Sequence, residues 1–237
     1  MDNFILVQDV IHSSLVHKEK GMVLKLDLEN AFDRVRHSFL MDVLRKFGFG
    51  FKFINWIKAC ISEPWIAPLV NGRAPDFFKA SHGLRQGCPL SPLLFVLQAS
   101  VLSFLLSKKQ QDQELMGLNI ARGVNNINHA LFADDSLLLG ASSVPSDKRF
   151  KEVVDDYCED SGSSPNKGKF HFYCWNIPTS TLQAISSCFG FAASSSWSSF
   201  KYLGLPIFQK RAVNRDWLPL LKSLSLRSIH GDLTGLI

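Results

Sequence analysis

The chain has 237 residues, 46% of them hydrophobic and 20% charged, so it can form one large domain or two small ones with a sizeable core. No uninterrupted apolar run approaches the roughly 20 residues of a membrane span, and no basic leader or cleavage site opens the sequence. The five cysteines show no zinc-type spacing. We therefore expect an intracellular protein, nuclear or cytoplasmic, with reduced cysteines, no signal peptide and no membrane contact.

The net charge of +5 is unevenly distributed along the chain. Residues 161–237 carry eight Lys or Arg and two Asp, a net of +6, whereas residues 1–160 have a net of −1. A chain with a basic half next to an acidic site is typical of a protein that binds a polyanion beside metal ions. The alternative interpretation is a basic surface that is only solvated.

Hydrophobic periodicity predicts a mixture of helices and strands without strict alternation, which favours an α+β fold. Ser38, Ser91 and Ser146 are the predicted starts of three helices, and Asn71-Gly72 is a hairpin signal. In chain order the predicted elements are helix 2–15, strand 22–28, helices 38–47 and 53–61, strands 65–70 and 76–79, helix 93–106, strands 118–120 and 127–132, the continuation 137–139, helix 146–161, strand 169–175, helix 179–188, a Ser-rich loop 192–199, strand 201–208 and helix 217–226.

Two adjacent carboxylates, Asp134 and Asp135, interrupt an apolar run that continues on both sides. The pattern predicts a tight β-hairpin whose turn carries both carboxylates to one edge of a sheet. Two like charges held together cost free energy unless a proton or a cation neutralises them, and Mg²⁺ prefers carboxylate oxygens together with substrate phosphates. A solvated turn is the alternative, because Asp is common in turns.

Two further segments carry polar residues next to predicted elements. Asp27 ends the apolar strand 22–28, where a helix cap is the alternative interpretation. Residues 83–92 form a stiff loop with two glycines, two prolines and Arg85-Gln86, and Ser91-Pro92 begins a helix predicted to be buried on nearly all sides. Anions bind well at such a helix N-terminus, although an ordinary loop explains the composition equally well.

These three segments together favour phosphoryl or nucleotidyl transfer, which depends mainly on positioning and charge neutralisation. Two metal ions about 3.5–4 Å apart can bind the attacking and leaving oxygens, and carboxylates from two strands would hold them. The seven histidines show no ligand spacing, and no Ser-His-Asp or Cys-His pattern is present.

Five sequence blocks extend this interpretation to a family. They are LKLDLENAFDRV at 24–35, GLRQGCPLSP at 83–92, FADD at 132–135, Ser161-Gly162 with Asn166 and Lys169, and KYLGLP at 201–206. In this order they resemble the reverse transcriptase of a non-LTR (LINE-type) retrotransposon, of the kind abundant in plant genomes. The resemblance implies an α+β polymerase palm, in which an antiparallel sheet is backed by helices, with partial fingers in residues 1–210 and an incomplete start of the thumb in residues 211–237.

The resemblance also implies a reaction and a role for individual residues. The reaction is addition of dNTPs to a DNA primer 3′-hydroxyl on an RNA template, with two Mg²⁺ ions or Mn²⁺ as the alternative. The implied catalytic metal ligands are Asp27, Asp134 and Asp135, and the residue implied to protonate the leaving pyrophosphate is Lys169. The implied nucleotide-binding residues are Phe32, Arg85, Gln86 and Gly87. The residues implied to support the primer end are Tyr202, Leu203 and Gly204.

The sequence departs from the family pattern at several points. Cys88 stands where the family usually has Asp, and Ser163-Ser164-Pro165 replaces a more apolar stretch before Asn166. The residues from Asp2 onward resemble a segment well inside the family's domain, so we expect the upstream finger motifs to be missing. The alternative function is therefore a truncated, catalytically inactive remnant that at most binds nucleic acid. A non-catalytic nucleic-acid-binding protein and another two-metal palm enzyme, such as a nucleotide cyclase, are further alternatives, and the Arg85-Gln86-Gly87 loop argues against the cyclase.

Overall fold

The computed structural model describes residues 2–62, 65–67, 69, 71–73, 76–121, 123–133, 135–166, 168–190, 193–210 and 213–218. The strands are β1 (Gly21–Asp27), β2 (Trp65–Ile66), β3 (Phe78–Lys79), β4 (His129–Phe132), β5 (Asp135–Ala141), β6 (His171–Trp175), β7 (Ala193–Ser194), β8 (Ser199–Tyr202) and β9 (Leu205–Phe208). The helices are α1 (Asp2–Val16), α2 (His37–Lys46), α3 (Phe51–Ser62), α4 (Ser91–Gln111), α5 (Val144–Ser161) and α6 (Thr179–Phe189), followed by a 3₁₀ turn at Asn214–Trp217.

The main sheet has the strand order β4-β5-β1-β6-β7, with β1 at its centre. All its pairs are antiparallel except β6 with β7, which is parallel. The sheet is therefore mixed, which corrects the expectation of a purely antiparallel sheet. The extra strand lies in the stretch predicted as a Ser-rich loop, because a two-residue polar strand shows no alternation in the sequence. The predicted α+β class is confirmed.

Alternate residues of β1 face two different layers of the molecule, as side chains do along any strand. One face packs on the core formed with α4, α5 and α6, and its β1 members are Met22, Leu24 and Leu26. On the other face, Val23 belongs to the cluster that α1 and the β8–β9 hairpin complete. Lys25 and Asp27 follow Val23 at intervals of two residues, so their side chains lie on the same face of the sheet as Val23, toward the β8–β9 hairpin.

Helix α4 corrects the prediction of a helix buried on nearly all sides. Its inner face, which includes Phe95 and Leu102, packs toward α2, α5 and β4. Leu93, Val96 and Phe104 are each more than 60% exposed on the opposite side. The helix lies on the outside of its layer, so only one side meets the core. By length and composition alone it is also long and apolar enough to cross a membrane, which the uninterrupted-run criterion did not detect.

Helix ends were predicted less accurately than helix cores. Helix α2 begins after Arg36 without a side-chain cap, rather than at Ser38. Helix α5 is capped by Ser143, whose hydroxyl accepts a hydrogen bond from the backbone N–H of Ser146, the residue predicted as the cap. A helix with several nearby serines offers more than one cap, and the sequence does not distinguish them. Gly162, with φ +81°, ends α5 as predicted.

The predicted strand 201–208 is in fact a hairpin, β8 and β9, with a turn at Leu203-Gly204. Both turn residues have positive φ, +51° and +78°, as a two-residue hairpin turn requires. The strands around Asn71-Gly72 are observed only as β2 and β3, and their predicted extensions include residues outside the described ranges. Most of the predicted helix 217–226, and with it most of the predicted thumb segment 211–237, also lies outside them.

Candidate active site

Two carboxylates lie next to each other at one end of the central strands, where β1 ends and β5 begins, and we call this end the edge of the sheet. Asp27 is the last residue of β1, Asp135 is the first residue of β5, and the antiparallel register pairs them directly. Residues paired in this way have Cβ atoms about 4.5–5.5 Å apart on one face of the sheet. Their side chains are 24% and 33% exposed, so both can reach a ligand from solvent. The predicted convergence of Asp27 and Asp135 at one edge of the sheet is therefore confirmed.

Two lysines lie against these carboxylates. Lys169 Nζ donates a hydrogen bond to Asp27 Oδ2 at 3.2 Å, and Lys25 Nζ lies 3.9 Å from Asp135 Oδ1. The two ammonium groups balance the two negative charges, which would otherwise repel each other across the strand pair. Among the described residues, the edge of the sheet thus carries two negative and two positive charges next to one another.

The segment before β6 brings Lys169 to this edge. The backbone N–H of Asn166 donates to the carbonyl of Asp27 at 2.9 Å, and the N–H of Lys169 donates to the carbonyl of Asn166 at 2.9 Å. A bridge between Leu28 and Pro165 continues the contact beyond the end of β1. Asn166 and Lys169 are therefore neighbours of Asp27, although Lys169 is 142 residues from Asp27 in sequence.

The hairpin that contains the predicted Asp pair has Phe132 directly opposite Asp135, so two residues connect its strands. Ala133, the first of them, has φ +51°. Asp134, one of the three implied metal ligands, lies outside the described residues. The structure therefore tests the position of Asp135 but not that of Asp134.

Hydrogen bonds join the loop that contains Arg85, Gln86 and Gly87 to the turn that follows β1. Backbone N–H groups of Gly83 and Leu84 donate to the carbonyls of Val35 and Phe32, each at 2.7 Å. Gln86 Nε2 donates to Asp33 Oδ1 at 3.1 Å, which joins the tip of the loop to the same turn. The side chains of Arg85 and Gln86 are exposed. The loop thus presents Arg85 to solvent beside the turn that follows Asp27 in the chain.

Phe32 is held by helix α4. Its ring stacks on Phe95 with 4.7 Å between centroids and 15° between planes. The side chain is half-buried, and its backbone carbonyl accepts the hydrogen bond from Leu84. The Phe32 ring is therefore held in a fixed orientation beside the loop that contains Arg85.

Cys88 follows the loop at the start of α4 and is half-exposed. Hydrogen bonding by the backbone of Leu90 holds the pKa of the Cys88 thiol below its ordinary value, and Ser91 and the Arg85 charge act in the same direction. Ser91 Oγ donates to the Arg85 carbonyl at 2.7 Å, so the loop remains closed with cysteine at position 88.

The third predicted segment, Tyr202-Leu203-Gly204, is the tip of the β8–β9 hairpin. Tyr202 is fully buried, and its hydroxyl donates a long hydrogen bond, 3.4 Å, to the carbonyl of Ala130. Burial raises the pKa of Tyr202 to about 12, and the negative charge of Asp135 acts in the same direction. The hairpin tip therefore lies close to the carboxylate edge.

Sequence reasoning missed two residues that connect these parts. Lys25 reaches Asp135 and the β8–β9 hairpin, and Asp33 binds Gln86 of the loop. The signal for Lys25 was its position two residues before Asp27, which places both side chains on one face of the strand. The partner of Asp33 is 53 residues away in sequence, and no local pattern indicates it.

Comparison with known proteins shows what this arrangement resembles. Residues 3–207 match the family described as "Reverse transcriptase (RNA-dependent DNA polymerase)". The chain is 29% identical over 168 residues to the transposon TX1 149 kDa protein of Xenopus laevis, covering 71% of this chain and 12% of that protein. It is also 29% identical over 137 residues, 58% of this chain and 22% of the relative, to the Pol polyprotein of the type-1 retrotransposable element R2 of Popillia japonica.

A solved structure with a similar fold is telomerase from Candida albicans. It superposes with a TM-score of 0.61 at 15% identity, over 87% of this chain and 32% of that chain. This similarity concerns the fold alone. The chain spans only about an eighth to a fifth of the length of the two transposon relatives described above.

Two glycines of the Arg85 loop offer a matched test of how it is held. Gly83 and Gly87 have φ of +88° and +82°, but an added Cβ would stand 2.7 Å from the Asp33 carbonyl oxygen at Gly83 and would meet nothing within 4 Å at Gly87. Gly87→Ala should lower the free energy of unfolding by about 1–2 kcal/mol through backbone strain. Gly83→Ala should cost roughly 1–3 kcal/mol more, because the loop must move. Urea unfolding of both variants measures the difference, and equal costs would contradict the close packing of Gly83 on Asp33.

Proposed function

The chain belongs to the reverse transcriptase (RNA-dependent DNA polymerase) family, and we propose that it is the polymerase domain of a plant-type non-LTR retrotransposon. In this proposal it adds dNTPs to the 3′-hydroxyl of a DNA primer paired with an RNA template. The observation that carries the proposal is the pairing of Asp27 with Asp135 at the edge of the sheet, with Lys169 beside them. Nucleotidyl transfer needs little more from a protein than such positioned charges.

The donor groups at this edge fit a hard divalent cation. Asp27 and Asp135 offer carboxylate oxygens, and Mg²⁺ or Mn²⁺ usually binds one or two carboxylates together with water and substrate phosphates. Within the described ranges the edge has these two carboxylates and no group of three ligands; Asp134, outside those ranges, would supply the third. Two bound cations would stabilise the attacking and leaving oxygens.

Lys169 would act on the leaving-group side of the reaction. Its Nζ lies 3.2 Å from Asp27 Oδ2, and its side chain is 64% exposed, so the ammonium group can turn from Asp27 toward a bound triphosphate. A protonated amine in this position would donate a proton to the departing pyrophosphate. The hydrogen bond to Asp27 would keep Lys169 near the site before the nucleotide binds.

The nucleotide would lie between this edge and the loop 83–87. Arg85 would bind triphosphate oxygens through its guanidinium group, and Gln86 and Gly87 would contact the nucleotide and the template. The ring of Phe32, fixed by its stack on Phe95, would leave no room for a 2′-hydroxyl and so favour dNTPs by exclusion.

The primer end would rest on the tip of the β8–β9 hairpin, at Tyr202, Leu203 and Gly204. The turn exposes the backbone of Gly204, and the net charge of +6 in residues 161–237 favours a nucleic-acid duplex nearby. In this arrangement residues 1–210 form the palm with part of the fingers, and residues 211–237 begin the thumb.

A primer-extension assay tests the proposal directly. The wild-type chain, a DNA primer on an RNA template, dNTPs and Mg²⁺ should give extended products, and Asp27→Asn should reduce the rate by about a thousandfold or more because a charge that holds the metal is lost. Asp156→Asn is the matched control, since it removes one exposed carboxylate from α5 without touching the edge of the sheet.

Three outcomes distinguish the proposed function from its rivals. Extension that Asp27→Asn abolishes and Asp156→Asn preserves supports the polymerase. Extension that survives Asp27→Asn contradicts it. Primer–template binding without extension, weakening as salt rises, would identify the inactive remnant instead.

The nucleotide-side residues make a separate prediction in the same assay. Phe32→Val should raise incorporation of rNTPs relative to dNTPs by about tenfold or more, because it removes the ring that would meet the 2′-hydroxyl. Lys169→Met should lower the rate of the chemical step and leave this ratio unchanged. Single-turnover rates with each nucleotide measure both effects. An unchanged ratio in Phe32→Val would exclude Phe32 as the discriminating residue.

A further inference from the structure

Lys25 joins two parts of the proposed site that are far apart in sequence. Its Nζ donates a hydrogen bond to the backbone carbonyl of Lys201 in β8 at 2.9 Å, and the same atom lies 3.9 Å from Asp135 Oδ1. The Lys25 side chain is only 21% exposed, although it stands two residues from the end of β1. A single ammonium group therefore touches both the hairpin and the carboxylate edge.

The two contacts of Lys25 differ in strength. The 2.9 Å contact to the Lys201 carbonyl is a charge-assisted hydrogen bond, stronger than one between neutral groups. The 3.9 Å separation from Asp135 is an ion pair without a direct hydrogen bond. Lys25 therefore binds the backbone of the hairpin more strongly than it binds the carboxylate of Asp135.

Other contacts hold the opposite end of the same hairpin. Gln8 of α1 exchanges two hydrogen bonds with the backbone of Phe208, at 3.0 and 2.9 Å. Near the tip, among the described residues, polar contacts to the sheet include the bond from Lys25 to the Lys201 carbonyl and the 3.4 Å bond from the Tyr202 hydroxyl to Ala130. The shorter of these two, from Lys25, joins the tip directly to β1, where Phe200 and Tyr202 also pack in the core.

We propose that Lys25 is a positioning residue that holds the primer-supporting hairpin in register with the catalytic carboxylates. This inference rests on the proposed function, because it assigns the hairpin tip to the primer. Lys25 does not touch the reacting atoms in this account. It fixes the separation between the primer 3′-hydroxyl and the edge of the sheet, to which the rate of an in-line attack is sensitive.

Lys25→Met and Lys201→Met form the matched pair of variants that tests this role. Both remove one positive charge, but Lys201 contributes only its backbone carbonyl, which Lys201→Met preserves. Lys25→Arg keeps a charged donor at position 25 and serves as the rescue variant. Effects shared by the two methionine variants report the net charge, and effects confined to Lys25→Met report the loss of its own contacts, the bond to the Lys201 carbonyl and the ion pair with Asp135. Faster exchange confined to the hairpin, with β1 and β5 unchanged, separates the bond from the ion pair.

The first readout is hydrogen exchange of the backbone amides in residues 199–208. In Lys25→Met these amides should exchange roughly tenfold faster, as expected from the loss of one hydrogen bond to a charged group, while the amides of β1 and β5 keep their protection. Lys201→Met should leave the hairpin unchanged, and Lys25→Arg should restore most of the protection. Equal exchange in both methionine variants, or faster exchange throughout the sheet, would overturn the proposal.

The second readout is steady-state primer extension. Lys25→Met should lower kcat and raise the KM for primer–template about tenfold, and it should leave the KM for dNTP within about twofold, since the hairpin supports the primer and not the nucleotide. A parallel rise in both KM values would overturn the positioning role. If the wild type extends no primer, that failure belongs to the proposed function, and the exchange of residues 199–208 alone decides the role of Lys25.

Discussion

The structure depends on one electrostatic constraint: Asp27 and Asp135 are held directly opposite each other on neighbouring strands. Two carboxylates in this register repel each other, and the fold compensates with an ammonium group on each side, from Lys169 and from Lys25. In the proposed function a divalent cation would bind at this edge and displace each lysine from its carboxylate, because the cation has the greater positive charge.

The rest of the fold serves to keep these two residues in position. The even-numbered face of β1 is buried under α4, α5 and α6, so the strand cannot slip by one residue without exposing its core face. On the other face, α1 and the β8–β9 hairpin pack over Val23. Lys25 and Asp27 lie at the margin of this packed surface. The loop 83–87 is then bonded to the turn that follows Asp27, so Arg85 and Phe32 are fixed relative to the same strand end.

Long periodic elements could be predicted from the sequence, and short or long-range features could not. Strand β1 and helices α1 and α5 followed from their apolar spacing, and Asp27 and Asp135 were expected at one edge because each adjoins a buried run. The turn at Leu203-Gly204 was missed, since leucine is rarely found at positive φ and gives no turn signal. Strand β7 has two residues and depends on a pairing with β6 that local pattern cannot indicate. Lys25 and Asp33 were missed because their roles arise from partners on other segments.

In the proposed function Asp27 and Asp135 hold the catalytic cation, and Mn²⁺ binding followed by electron paramagnetic resonance in the presence of dNTP measures this without requiring turnover. The wild type and Asp156→Asn should bind Mn²⁺ with the same affinity, and Asp27→Asn and Asp135→Asn should each bind it more weakly, because each loses a charged oxygen ligand. Equal Mn²⁺ affinity in all four proteins would contradict the assignment of these carboxylates to the metal and with it the proposed chemistry.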